Sequence, residues 1–234
     1  MTVHARIEAL PWDSAFFARR VAMLRLDREE GALTREALGG FDLVQAKIAA
    51  ADYASLDGLS EVGFQVVEAE VDLRAEVPAA SSELAGASGA EQSDIDSLRA
   101  IAAEAFTTTR FRAPWFVSGE GGRLYAQWVE NAARGIFDHA CLVSRERELR
   151  AGFITLRRLD EQEARVGLIA VAKGLEGRGT GKRLVQAAFD WSRRAGAGTL
   201  RVATQLGNLR ALRLFEQSGF SSAVTSYWLY WRPR

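Results

Sequence analysis

The sequence has little of the chemistry that disulfides and metal centres require. Its 234 residues include one cysteine, Cys141, and two histidines, His4 and His139. A single cysteine excludes a disulfide within the chain, and these three residues provide no cluster with the spacing of a zinc or iron–sulfur site. We therefore expect a protein without a metal and without an internal disulfide.

Long uncharged runs and an excess of one charge are also missing. The longest uncharged run, Gln217–Trp231, has 15 residues, and five of them are Ser or Thr, so it is too short and too polar to span a bilayer. The 30 Lys and Arg residues equal the 30 Asp and Glu residues, which argues against a nucleic-acid or anionic-membrane partner. Charges at Arg6, Glu8 and Asp13 interrupt any secretion signal. We expect a cytoplasmic protein.

A change of composition at residues 78–92 divides the chain. This segment reads PAASSELAGASGAEQ, in which ten of the fifteen residues are Ala, Ser or Gly. Such a composition is typical of a flexible linker, although an Ala-rich helix is the competing interpretation. The sequence therefore predicts a small N-terminal α/β domain over residues 1–77 and a larger domain over residues 93–234.

Hydrophobic periodicity predicts an α/β order for the larger domain. A helix is expected after Ser93 as its N-cap, and a second helix ends near Gly135. A hairpin follows, with its charged turn at Arg145–Arg150. The remaining elements alternate between strands over 164–171, 199–205 and 223–231 and helices that end at Gly196 and Gly219.

Two segments of the chain match each other at a constant offset of 156 residues. Leu43–Leu73 aligns without a gap on Thr199–Leu229, so that Asp52 falls on Asn208 and Gly63 on Gly219. Each copy reads as strand, capped helix, Gly-Phe exit and strand. Either this common strand–helix–strand pattern occurs twice by coincidence, or the N-terminal domain is a degenerate half-copy of the C-terminal architecture.

A glycine-rich turn, EGRGTGK at Glu176–Lys182, is the strongest candidate for a ligand site. Glycines allow a tight turn whose backbone N–H groups converge on an anion, and the next helix adds the positive end of its dipole. A pyrophosphate group is the natural ligand. The spacing matches neither the Rossmann fingerprint nor the P-loop.

With its flanking elements, this turn resembles the acetyl-CoA-binding core of the GNAT (Gcn5-related N-acetyltransferase) superfamily. The resemblance covers residues 164–220 and implies acetyl-CoA as co-substrate on a mixed, mostly antiparallel sheet flanked by helices. It also implies a strand that splays before the turn. Members of the family usually have Gln or Arg at the position that Glu176 occupies in this chain. We expect the side chain of Glu176 to point to solvent. The cofactor residues that the resemblance implies are Leu168, Ile169, Ala170 and Val171 on the strand, Gly177, Arg178, Gly179, Thr180, Gly181 and Lys182 in the turn, and Asn208 at the next helix.

Stretches along the whole chain are similar to those GNAT enzymes that acetylate the 4-amino group of dTDP-4-amino-4,6-dideoxy-D-galactose for surface polysaccharide. They include IEALPWDSAFF at Ile7–Phe17, VEAEVDL at Val67–Leu73 and RFRAPW at Arg110–Trp115. The resemblance implies that Glu68 removes the proton of the acceptor amine. Glu70 is the alternative because it shares a strand face with Glu68.

Phe215 stands where GNAT enzymes commonly place the tyrosine that protonates the leaving thiolate. Phenylalanine cannot donate a proton, so water or another hydroxyl, such as that of Tyr227, would have to protonate the thiolate. Arg110, Arg112 and Trp115 are candidates for the nucleotide-sugar end, because arginine forks match diphosphates and tryptophan stacks on a base. A surface loop anchored by one tryptophan is the alternative.

The leading hypothesis is an acetyl-CoA-dependent N-acetyltransferase of a dTDP-aminosugar, with direct transfer in a ternary complex, since no activated nucleophile is evident. Two alternatives stay open. One is a GNAT enzyme with another amine acceptor, such as a different aminosugar or a protein N-terminus. The other is an acyl-CoA-binding protein whose catalysis is attenuated by Phe215. A homodimer is possible because dimers are common in the superfamily.

Overall fold

The computed structural model describes residues 2–80, 86–146 and 149–233. Its residues fall into two compact units, each assembled from separated segments of the chain. Unit 1 contains Met1–Val71, Arg110–Val117 and Val224–Arg234. Unit 2 contains Asp72–Thr109 and Ser118–Ala223.

Unit 1 is built on strands from both ends of the chain. Strand β1 pairs antiparallel with β2, β2 pairs parallel with β3, and β3 pairs antiparallel with the last strand, β10, which neighbours β4. Three short helices complete the unit. Its elements are β1 (Ala5–Ala9), α1 (Pro11–Phe17), β2 (Val21–Leu26), α2 (Arg35–Leu38), β3 (Leu43–Ala49), α3 (Tyr53–Val62), the first part of β4 (Gln65–Glu76) and most of β10 (Ser221–Trp231).

Alternation along these strands separates a hydrophobic face from a polar one. On β3, Val44, Ala46 and Ile48 are buried in the main cluster of unit 1, together with Leu59 and Leu229. The residues between them point to the opposite face, since successive side chains of a strand alternate. That opposite face carries the polar residues described below.

Unit 2 has a mixed sheet, as the sequence predicts. The order β5-β6-β7-β8 is antiparallel throughout, β8 pairs parallel with β9, and the end of β4 neighbours β9. Helices pack against this sheet. The elements are β5 (Ala87–Gly89), a 3₁₀ turn (Gln92–Asp94), α4 (Ile95–Ala105), α5 (Glu120–Ala133), β6 (Ala140–Glu146), β7 (Leu149–Arg158), β8 (Glu163–Val171), α6 (Thr180–Arg194), β9 (Thr199–Gln205) and α7 (Leu209–Gln217).

The division of the chain differs from the boundaries expected from composition. Because β10 pairs with β3, residues 224–234 belong with the N-terminal strands, and so do residues 110–117. Within the segment 78–92, residues 87–89 form β5 and residues 92–94 form the 3₁₀ turn, while residues 81–85 lie outside the described residues. Ser93 lies inside that turn and is not an N-cap, since Glu91 and Asp94 form a capping box.

The two similar segments have the same local structure. Strand β3 and strand β9, helix α3 and helix α7, and the start of β4 and of β10 each begin 156 residues apart. The side chain of Asp52 accepts a hydrogen bond from Ser55 N, and that of Asn208 accepts one from Ala211 N. A left-handed glycine follows each helix, with φ of 109° at Gly63 and 90° at Gly219.

Candidate active site

Strand β8 separates from β9 partway along its length. The parallel register joins Glu163–Arg165 to Thr199–Arg201, and within the described strands it goes no further. The antiparallel register with β7 continues to Val171. The C-terminal part of β8 therefore has a partner strand on one side only, which is the splay that the GNAT resemblance implies.

A bulge fixes the directions of the N–H groups on this part of β8. Between the pairs Leu156–Val166 and Ile154–Ile169, one residue of β7, Thr155, faces two residues of β8. The N–H of Leu168 donates to Thr155 Oγ1 at 2.9 Å, and its direction is therefore towards β7.

The next N–H groups alternate from there. The N–H of Ala172 donates to Ala151 O at 2.9 Å, so the residues of the same parity, Leu168 and Ala170, also direct their N–H groups towards β7. Those of Ile169 and Val171 point to the opposite edge, where β9 has separated. Of the four residues expected at the cofactor, two therefore present backbone donors to the open side.

The glycine-rich turn has the backbone conformation that an anion site requires. Gly174, Gly177 and Gly179 have φ of 83°, 77° and 78°, a left-handed conformation that disfavours side chains. Helix α6 begins at Thr180, and its N-cap residue, Gly179, supplies no side-chain cap. The first N–H groups of α6 are therefore available for a bound anion.

Basic side chains surround this turn. Arg178 and Lys182 are exposed, and Arg178 lies 3.5 Å from Glu146 Oε2. Arg183, which the sequence analysis did not single out, folds back over the turn. Its Nη1 donates to Arg178 O at 3.0 Å and its Nη2 to Thr180 Oγ1 at 2.9 Å. Its position three residues into the helix places it one turn above the loop.

Glu176 is exposed, as expected, but its carboxylate is bound within its own turn. Its Oε2 accepts a hydrogen bond from Gly174 N at 2.7 Å. Hydrogen bonds from the backbone N–H groups of Glu176 and Gly174 lower the pKa of this carboxyl, and Arg210 and Lys173 add to the effect. Backbone N–H groups of the loop thus bind the charge of Glu176, which offsets part of its electrostatic repulsion of a bound pyrophosphate.

Asn208 and Phe215 both serve the structure of α7. The side chain of Asn208 caps the helix through Ala211 N at 3.1 Å. Phe215 is 1% exposed, and its ring lies 5.4 Å from that of Phe220. It occupies the same place as Leu59 in the other copy of the repeat. Phe215 is a core residue in unit 2.

The polar face of unit 1 contains both candidate bases. Glu70 binds Lys47 and accepts a hydrogen bond from Trp228 Nε1 at 3.0 Å, and its side chain is 16% exposed. Glu68 is two residues earlier on β4 and therefore shares this face. Glu68 is half-buried. Glu70 is thus engaged by Lys47 and Trp228, and the preference for Glu68 as the base comes from the GNAT resemblance.

Arg110 lies on the same face among aromatic rings. Its guanidinium carbon is 3.8 Å from the centre of the Trp228 ring and 4.2 Å from that of Phe111. Its Nη1 donates to Gln45 Oε1 at 2.7 Å and also binds the hydroxyl of Tyr230. Both hydrogen bonds leave from one nitrogen of the fork, so the guanidinium is held in a fixed plane.

Asp13 adds a carboxylate near this arginine. Burial raises the pKa of Asp13, and the charge of Arg110 opposes that shift. Four members of this cluster were not predicted from the sequence: Asp13, Gln45, Lys47 and Trp228. The signal for the last three was the strand period, because they occupy positions between buried residues of β3 and β10.

Arg112 and Trp115 hold the segment 110–117 in place. The Nη2 of Arg112 donates to Val67 O at 3.1 Å. The ring of Trp115 is buried edge-on against Tyr230, with ring centres 5.5 Å apart. The structure thus gives both residues contacts within unit 1, and Trp115 packs on the same Tyr230 that Arg110 binds.

Tyr227 lies on the other face of β10. It pairs with Ile48 of β3 and packs against the buried cluster of unit 1. Trp228, its neighbour, is the residue that faces Glu70. Within unit 1 the structure therefore places Tyr227 on the face of β10 opposite to the polar one.

Other reactive groups are few in the described ranges. Burial, with smaller contributions from Asp138 and Asp94, raises the pKa of the Cys141 thiol to about 12, so this thiol stays protonated near neutral pH. Among residues 2–80, 86–146 and 149–233, no three His, Cys, Asp or Glu side chains form a group that could hold a metal ion. Within the same ranges, no helix is both long and apolar enough to cross a membrane.

Comparison with known sequences places the chain in one family. Residues 95–220 match the model of the acetyltransferase (GNAT) family. The chain is 47% identical over 232 residues to the dTDP-fucosamine acetyltransferase of Escherichia coli O6:H1, covering 98% of this chain and 100% of that protein. It is 28% identical over 141 residues to the spore coat polysaccharide biosynthesis protein SpsD of Bacillus subtilis, covering 60% of this chain and 48% of SpsD.

Solved structures share the fold at low sequence identity. A GCN5-related N-acetyltransferase from Sphaerobacter thermophilus has a TM-score of 0.64 and 16% identity, covering 98% of this chain and 78% of that one. The glucosamine N-acetyltransferase region of a fungal multi-domain β-N-acetylglucosaminidase has the same TM-score with 13% identity, covering 98% of this chain and 31% of that one. Both likenesses establish the fold alone.

Proposed function

Because the chain belongs to the acetyltransferase (GNAT) family, we propose that it transfers the acetyl group of acetyl-CoA to the 4-amino group of dTDP-4-amino-4,6-dideoxy-D-galactose. Members of the family are acyltransferases, so the chain is an enzyme of that class. The observation that supports this choice of acceptor is the 47% identity to a dTDP-fucosamine acetyltransferase across 98% of the chain.

The cofactor site that we propose lies in unit 2, and its residues fit acetyl-CoA. The N–H groups of the turn 177–182 and of the first turn of α6 would hold the pyrophosphate, with Arg178 and Lys182 adding positive charge. The pantetheine arm would lie along the open edge of β8. When bound, acetyl-CoA supplies an activated acyl group as a thioester.

The reaction joins the amine nitrogen to the carbonyl carbon as the carbon–sulfur bond breaks. Glu68 accepts the proton of the amine, directly or through water. The N–H groups of Ile169 and Val171 lie two residues apart on the strand, so one of them donates to the carbonyl oxygen as it gains charge, and such a donor is typically worth about 3 kcal/mol. Transfer is direct because Cys141 stays protonated and buried.

The proton of the departing thiol comes from solvent in this proposal. Phe215 has no hydroxyl and lies in the core, and Tyr227 is half-buried and packs against the core of unit 1. A thiol has a pKa of about 8.5, so a thiolate is a tolerable leaving group near neutral pH. The loss of the usual tyrosine therefore slows the reaction only if protonation of sulfur limits the rate.

The acceptor end of the proposed site is the polar face of unit 1. Arg110 would donate from the guanidinium nitrogens other than Nη1 to the diphosphate of the sugar nucleotide. The product would enter surface polysaccharide. Since acetyl-CoA and sugar nucleotides are cytoplasmic metabolites, the reaction would take place in the cytoplasm. We also propose a homodimer, because dimers are common in the superfamily.

The decisive experiment measures free thiol released from acetyl-CoA, with and without the dTDP-aminosugar. Turnover well above the acceptor-free rate supports the proposal, and calorimetric titration of acetyl-CoA alone tests the cofactor site separately. Tight binding of acetyl-CoA without turnover would contradict the acceptor. It would then favour another amine acceptor or an acyl-CoA-binding protein, the alternative that Phe215 raises.

A further inference from the structure

The bulge between β7 and β8 is held by a side chain where a sheet ordinarily uses a carbonyl. At this point two residues of β8, Gly167 and Leu168, face the single residue Thr155 of β7. The ladder therefore has one backbone acceptor fewer than β8 has donors. Thr155 Oγ1 supplies the acceptor that is lacking, 2.9 Å from Leu168 N, and the hydroxyl is completely buried.

Gly167 allows the two strands to come this close. A Cβ atom at residue 167 would lie 2.6 Å from Thr155 Oγ1 and 2.7 Å from Asp138 Oδ2. Real Cβ atoms do not approach oxygen so closely, so the residue has to be glycine unless one of these groups shifts. The backbone of β8 thus packs directly on two side-chain oxygens.

Asp138 is itself held in position. Its side chain is 1% exposed, and its Oδ2 accepts a hydrogen bond from Trp128 Nε1 at 3.0 Å. A buried carboxylate with a hydrogen-bond partner is a rigid neighbour. Trp128 and Asp138 therefore form one wall beside Gly167, and Thr155 forms the other.

We infer that Thr155 is a positioning residue of acetyl transfer, whose hydroxyl holds Leu168 N–H towards β7 and thereby directs the N–H groups of Ile169 and Val171 to the open edge of β8, where one of them donates to the thioester carbonyl. This inference rests on the proposed use of acetyl-CoA. Without the hydroxyl, Leu168 N–H is buried with no acceptor, and rotation of its peptide plane relieves that cost. The rotation displaces the donors that follow on the strand.

The test compares Thr155→Val with Thr155→Ser. Valine keeps the shape of threonine without the hydroxyl, and serine keeps the hydroxyl without the methyl group. We expect kcat to fall about tenfold or more in Thr155→Val, since losing an oxyanion donor outright costs 10²–10³, and to stay near the wild-type value in Thr155→Ser. Equal losses of kcat in both variants would overturn the assignment.

A binding measurement distinguishes positioning from a general loss of structure. Titration compares acetyl-CoA with S-ethyl-CoA, a thioether that lacks the thioester carbonyl oxygen. Thr155→Val should bind acetyl-CoA less tightly and S-ethyl-CoA as the wild type does. Equal weakening of both ligands would mean a merely structural role.

Ser192→Ala is the matched control. It removes another buried hydroxyl of unit 2, which donates to Ala188 O at 2.8 Å within α6. Its kcat should stay at the wild-type value. If wild-type protein fails to bind acetyl-CoA, the proposed function fails and the inference fails with it. If wild type turns over and Thr155→Val matches it, the inference alone is wrong.

Discussion

The guanidinium carbon of Arg110 lies 3.8 Å from the centre of the Trp228 indole ring. Stacking of this kind suits arginine because its planar cation is weakly hydrated. The ring of Trp228 is fixed in turn, since its Nε1 donates to Glu70. Lys47 binds the same carboxylate, so the ion pair and the stacked arginine form one connected layer.

Replacement of Arg110 by lysine tests this layer. Lysine keeps the charge but loses the planar fork, so the KM for the sugar nucleotide should rise about tenfold or more, with a much smaller change in kcat. Steady-state kinetics with varied acceptor measures it. Arg112→Lys is the control and should change KM little, because Arg112 binds Val67 O. Similar KM values for Arg110→Lys and wild type would contradict a contact with the diphosphate.

Glu68→Gln tests the proposed base. Removal of a general base costs 10²- to 10⁴-fold, so kcat/KM should fall at least about 100-fold near pH 7. The loss should shrink as pH rises, because a growing fraction of the amine is then already neutral. The measurement is a pH profile from 6 to 9. Full activity of Glu68→Gln across that range would remove Glu68 from the mechanism.

Phe215→Tyr tests whether the missing hydroxyl matters. The ring is buried against Phe220, so a hydroxyl without a partner should lower stability by about 1–3 kcal/mol. We expect the turnover rate to change less than about tenfold, below the effect typical of a general acid. Urea unfolding and thiol release measure the two effects. A gain of two orders of magnitude would show that protonation of sulfur limits the wild-type rate.

Asp94→Asn tests the clamp beneath the β6–β7 hairpin. The buried carboxylate of Asp94 accepts hydrogen bonds from Arg145 Nη2 at 2.6 Å and Arg150 Nε at 2.7 Å. Loss of one partner from such a buried ion pair costs about 3–5 kcal/mol. Urea unfolding at pH 7 should show a loss of that order, whereas the exposed Asp96→Asn should show little.

The same clamp predicts a pH dependence. Burial opposes ionisation of Asp94, but the hydrogen bonds from Glu91 N–H and Arg150 and the charges of Arg145 and Arg150 outweigh it and lower its pKa from 3.8. A lowered folded-state pKa gives stability that is present above pH 3.8 and is lost as pH falls through the folded value. The difference in the free energy of unfolding between wild type and Asp94→Asn should therefore become smaller below about pH 4. A constant difference would contradict the linkage.

The burial of Cys141 predicts that its thiol is unreactive in the native protein. Because burial raises the pKa of its thiol to about 12, native protein should react with a thiol reagent at pH 8 far more slowly than unfolded protein does. Cys141→Ala should retain the wild-type kcat, as direct transfer requires. Rapid labelling of native protein, or loss of turnover in Cys141→Ala, would contradict this.

Local patterns explain why much of unit 2 was predictable. The helix cap at Asn208, the left-handed glycines and the period of β9 are each encoded within a few neighbouring residues. The turn 176–182 was recognisable for the same reason. By contrast, the pairing of β3 with β10 joins residues 177 to 187 positions apart, and no local period predicts it.

The roles of single side chains were harder to predict. Arg112 and Trp115 have the residue types of a nucleotide site, yet they hold their own segment in place, because backbone carbonyls and aromatic rings also satisfy such groups. Leu168 was expected among the cofactor donors, but a one-residue bulge turns its N–H to Thr155. Such a bulge leaves no mark in the hydrophobic pattern.

The pairing of β3 with β10 has a consequence for how the protein is made. Synthesis proceeds from the N-terminus, and domains generally fold as soon as their residues emerge. Unit 1 lacks one of its strands until Val224–Arg234 have left the ribosome, since these residues belong to it. Unit 2 ends at Ala223 and can fold first. The N-terminal strands of unit 1 therefore complete their sheet after unit 2 has formed, and a chain stalled before β10 is made would leave backbone N–H and C=O groups of β3 unpaired along the edge where β10 binds.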